Sequence, residues 1–119
     1  MFLTELELRR SLEAVRAAFP NFANWQHVNE TDDSYSGFSL WGEFVLDSTD
    51  PMPRRFFITF DTFQEAWSGH LTIGQHCFYW SSADFGDAHL LDSGSFASLE
   101  QAIEAVKSQI ANLFRAILV

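Results

Sequence analysis

The chain has 119 residues, 47% of them apolar, one cysteine and a formal net charge of −9. That length holds one domain with its own core and not two, and the apolar content excludes a disordered acidic tail. Lone Cys77 excludes an intramolecular disulfide and suits a reducing compartment, so a cytoplasmic location is expected, while the acidity argues against nucleic acid and anionic membranes as partners.

Thr4 and Glu7 spell a capping box at the head of a helix over 4–19, the threonine accepting from the third backbone N–H and the glutamate reaching back to the cap. Leu8, Leu12, Val15 and Phe19 form its apolar stripe, and Pro20 ends the hydrogen-bond ladder. Beyond it the apolar period falls to two. Residues 25–30 read as a first strand, followed by a polar stretch over 31–37. Phe38, Leu40, Phe44 and Leu46 then alternate with Ser39, Trp41, Glu43 and Val45, and a turn-prone stretch over 47–53 closes that strand. Over 54–63, Phe56, Ile58 and Phe60 share one face and Phe57, Thr59, Asp61 and Phe63 the other. Residues 67–73 and 76–82 read as further strands, with a turn or bulge at Gly74-Gln75. A tight loop over 83–87 containing Gly86 leads to a last strand over 88–92. Ser98 and Gln101 repeat the capping box, and Leu99, Ile103, Val106, Ile110, Leu113 and Ile117 stripe a second helix running almost to the terminus.

The pattern predicts a single α+β domain over 1–119: an N-terminal helix, an antiparallel sheet of four to six strands and a C-terminal helix, with both helices on one sheet face. No apolar run approaches the ~18 residues of a membrane span, and the first ten residues lack the apolar stretch of a secretory signal.

Charge is distributed unevenly along this plan. Both ends are balanced, whereas the middle holds eleven acids against Arg54 and Arg55, together with all four tryptophans and ten of the thirteen phenylalanines. Aromatic anchors with a carboxylate rim make a surface for gripping a basic macromolecule. The candidate partner-binding residues are Trp41, Glu43, Phe57, Asp61, Trp67, Asp84, Phe85 and Asp87.

Catalytic and metal signatures are weaker. No helical His-x-x-x-His or Cys-x-x-Cys occurs, and His70 and His76 would lie ~20 Å apart on one continuous strand, so neither a metal nor a cofactor is expected. His27 and His89 receive no role. Asp84-Phe85-Gly86 lacks the companion motifs of a kinase, and no nucleophile elbow is present. Asp61 with His70 or His76 is the one acid/base pair worth noting, and with so few cations to hold a phosphate an enzyme is not expected.

In size, charge and α+β character the chain resembles the immunity proteins of polymorphic toxin systems. That resemblance implies a small binding protein that neutralises a basic protein, such as a cationic bacterial nuclease toxin. The rival readings are a homo-oligomeric module, such as a homodimer, or a ligand-binding module, a nucleic-acid mimic and a small histidine-dependent hydrolase.

Overall fold

The computed structural model describes residues 2–31, 36–46, 49, 51, 54–75 and 88–118. Its elements are α1 (Glu5–Ala18), β1 (Ala23–Thr31), β2 (Ser36–Val45), β3 (Arg54–Phe63), β4 (Ala66–Gln75), β5 (Ala88–Asp92) and α2 (Leu99–Leu118). The strands form one antiparallel sheet, as the sequence predicts, and lie in chain order, β1-β2-β3-β4-β5. The strand expected over 76–82 and the loop over 83–87 lie outside the described residues. So do Asp84, Phe85 and Asp87 from the candidate surface.

Both helix starts carry the predicted caps. Thr4 Oγ1 accepts from the Glu7 N–H (3.1 Å) while Glu7 Oε1 accepts from the Thr4 N–H (3.0 Å). Ser98 and Gln101 exchange the same pair of bonds at 3.2 Å each. These bonds satisfy N–H groups that the first turn of a helix leaves without partners. The N-terminal segment is tied to β1 by Asn29, whose side chain accepts from the Phe2 and Leu3 N–H groups (2.8 Å each) and donates to the Leu3 carbonyl (3.0 Å).

Strand alternation sends Phe38, Leu40, Ile58, Phe60 and Leu71 to one face, where they meet Val15 and Phe19 of α1 and Leu99, Ala102, Ile103 and Val106 of α2. Two glycines make room for close packing, Gly69 beneath α2 and Gly42 beneath a ring of β1. A Cβ on Gly69 would lie 2.5 Å from Val106 Cγ2 and 2.7 Å from Phe60 Cε1, and one on Gly42 would lie 2.7 Å from the Trp25 ring. At both positions an aromatic ring fills the space over a bare backbone. The α2 stripe is shorter than its sequence suggests. Leu99, Ile103 and Val106 are buried, but Ile117 is 65% exposed, because the helix packs on β4, β5 and α1 only along its first turns. Among the described residues no helix is long and apolar enough to cross a membrane.

A tight turn and a bulge shape the β3–β4 and β4–β5 pairings. The β3–β4 hairpin turns on Gln64 (φ 51°) and Glu65 (φ 66°), the two residues between the Phe63↔Ala66 pair, so both central positions take positive φ as in a type I′ turn. In β5, Leu91 pairs with Leu71 and His89 with Thr72, leaving Leu90 as an extra, bulged residue.

Candidate functional site

The sheet face opposite the helices is built in rungs. Ser39, Asp61 and Ser68 are paired neighbours across β2, β3 and β4. The next rung is Trp41, Thr59, His70 and Asp92, and the one after it Glu43, Phe57, Thr72 and His89. Diagonal neighbours on one face remain within reach of long side chains, so His70 can touch acids on both sides. Trp41, Phe57, Thr59, Asp61, His70, Thr72 and His89 line an open groove of about 380 Å³.

His70 is clamped at both ring nitrogens. Its Nε2 lies 3.3 Å from Asp61 Oδ2, and its Nδ1 contacts Asp92 Oδ1. Asp61 also accepts a 2.6 Å bond from the Ser39 hydroxyl. The Asp61 hydrogen bond raises the His70 pKa most, partial burial opposes it and Asp92 adds to the rise, leaving it at about 9. His70 is therefore an imidazolium at neutral pH. For Asp61, burial pushes the pKa up, but the bonds from His70 and Ser39 and the attraction of His70 outweigh it, so the net shift is downward. His89 stands beside this pair, its Nδ1 3.9 Å from Asp92 Oδ1 and its ring perpendicular to that of His70 with centroids 5.9 Å apart. His70, His89 and Asp92 offer ligand atoms that all lie within 4.8 Å of one another.

Of the residues singled out from sequence, Trp41, Phe57 and Asp61 come together in the groove. Glu43 sits on the same face, held by Asn24 Nδ2 (2.7 Å) and Arg55 Nε (3.6 Å). Trp67 does not join them. It lies on the helix side, edge-on to Phe38 with centroids 5.7 Å apart, and its backbone pairs with Phe96 in both directions at 2.7 and 2.8 Å. Its strand position is in phase with buried Leu71, which places it in the core layer.

The sequence offers Asp61 with His70 or His76 as an acid/base pair and the sheet brings His70 to it, whereas nothing in the sequence marks His89 and Asp92 as neighbours. Residues three apart in a regular strand face opposite sides. The bulge at Leu90 reverses that, and it leaves no mark on the apolar period. His27 is on the helix side, its ring stacked on Phe38 with centroids 6.4 Å apart, and His76 lies outside the described residues. Comparison with known proteins finds no matching protein-family model, curated protein or solved structure.

Proposed function

We propose that this protein is a binding protein that holds a basic protein partner on the sheet face opposite its helices, as an immunity protein would hold a cationic toxin such as a nuclease. The observation that carries the reading is the groove in which Trp41 and Phe57 stand beside Asp61, with Asp92 near its edge. A lysine or arginine entering there meets aromatic faces that favour a cation and apolar area that binding desolvates. His70 compensates the Asp61 charge until the partner arrives. Asp92, with its side chain 59% exposed, is open to the incoming cation. The overall charge of −9 accelerates encounter with a basic surface and discourages anionic competitors.

The test is capture at low salt, identification of the bound protein and affinity measurement on variants. Trp41→Ala and Asp61→Lys are expected to weaken binding at least tenfold, and Glu104→Lys, on exposed α2 surface, to leave it within twofold. Equal losses from all three would remove this face from the interface. Self-association in light scattering that Trp41→Ala abolishes would instead make a second copy the occupant.

A further inference from the structure

We propose that His70, His89 and Asp92 form a binding site for a divalent transition-metal ion on β4 and β5. A metal with bonds of ~2.0–2.2 Å to nitrogen and oxygen holds its donors roughly 3.0–3.5 Å apart. The three donors here already lie within 4.8 Å of one another. His89 and Asp92 are exposed, so small side-chain rotations bring them into range.

A chain of hydrogen-bonded side chains supports the site from behind. Metal-bound histidine usually directs its other ring nitrogen at a carboxylate, which sets the tautomer and the ring plane. His70 does this: with Nδ1 directed at Asp92, its Nε2 faces Asp61 Oδ2 at 3.3 Å, and Asp61 is itself fixed by the Ser39 hydroxyl at 2.6 Å. Ser39, Asp61 and His70 thus make a chain ending on the proposed ligand atom, with Asp61 as a positioning residue. The bulge at Leu90 completes the set by bringing His89 onto the face that carries Asp92.

Donor chemistry narrows the ion. Two imidazoles and one carboxylate suit zinc and its first-row neighbours, whereas calcium and magnesium prefer all-oxygen sites. Three protein ligands leave a coordination position for water or for a donor atom from a bound molecule. The ion replaces the proton on His70 Nδ1 and leaves Nε2–H on Asp61. The site shares His70 and Asp92 with the proposed binding face, but its occupancy requires no partner.

The experiment is calorimetric titration of the chelator-treated full chain with zinc, and no partner is present. One equivalent is expected to bind to the native sequence. His89→Ala and Asp92→Ala should weaken binding at least 100-fold, and Asp61→Asn by ~10- to 100-fold, the range for loss of a supporting carboxylate. His27→Ala, on the other sheet face, should change nothing. Thermal melts of each metal-free variant separate lost ligands from lost fold. No binding by the folded native chain, or binding that survives both His89→Ala and Asp92→Ala, overturns the proposal. Partner capture measured in chelator is a separate readout, so either reading can fail alone.

Discussion

His70 Nε2 and Asp61 Oδ2 lie 3.3 Å apart across the β3–β4 pair, one rung out of register with each other. In metal-free protein this contact links stability to pH. The His70 pKa rises from 6.5 unfolded to about 9 folded, so its contribution is fully present below pH 6.5 and is lost as pH climbs through 9. Urea unfolding in chelator should therefore show native stability falling between pH 6.5 and 9.5 more steeply than that of His70→Gln. Parallel slopes for the two proteins would remove the charged pair as the cause.

Close approach at Gly69 predicts a steric penalty. Gly69→Ala puts a methyl 2.5 Å from Val106 Cγ2, and overpacking of this kind costs about 1–3 kcal/mol. The double variant Gly69→Ala/Val106→Ala should be more stable than the sum of the two single losses predicts, because the smaller residue makes room. Strict additivity in denaturant titration would mean the helix shifts freely instead.

The β3–β4 turn stores strain that can be released. Gln64 and Glu65 both occupy positive φ, where side chains with a Cβ are disfavoured and Asn-Gly is preferred. Gln64→Asn with Glu65→Gly should raise unfolding free energy by about 1 kcal/mol, within the usual range for such repairs. Neither side chain lines the groove, so partner affinity should not change.

Thr4→Ala removes an N-cap side chain and should cost about 1 kcal/mol. Hydrogen bonds from the Thr4 backbone and side chain lower the Glu7 pKa below 4.5. Glu7 therefore contributes stability above pH 4.5 that is lost as pH falls through its lower folded value. Acid titration followed by circular dichroism should show that Glu7→Gln shrinks this pH dependence, and an unchanged profile would count against the cap.

What the sequence determined by itself is what short-range physics controls. A capping box is decided within four residues, so Thr4/Glu7 and Ser98/Gln101 announce both helix starts. Period-two alternation assigns faces within a strand, which placed Phe56, Ile58 and Phe60 toward the helices and Phe57, Thr59 and Asp61 away from them. The phase of Leu71 carried the same information about Trp67. Lateral neighbours are another matter, because they depend on register between strands, and a shift of one residue exchanges every cross-strand partner. Positive φ at Gln64 and Glu65 set one register and the extra residue Leu90 set the other. Neither a turn built without glycine nor a bulge within an apolar run alters the hydrophobic pattern. Only the assembled sheet therefore decided that Asp61, His70, His89 and Asp92 meet at one place.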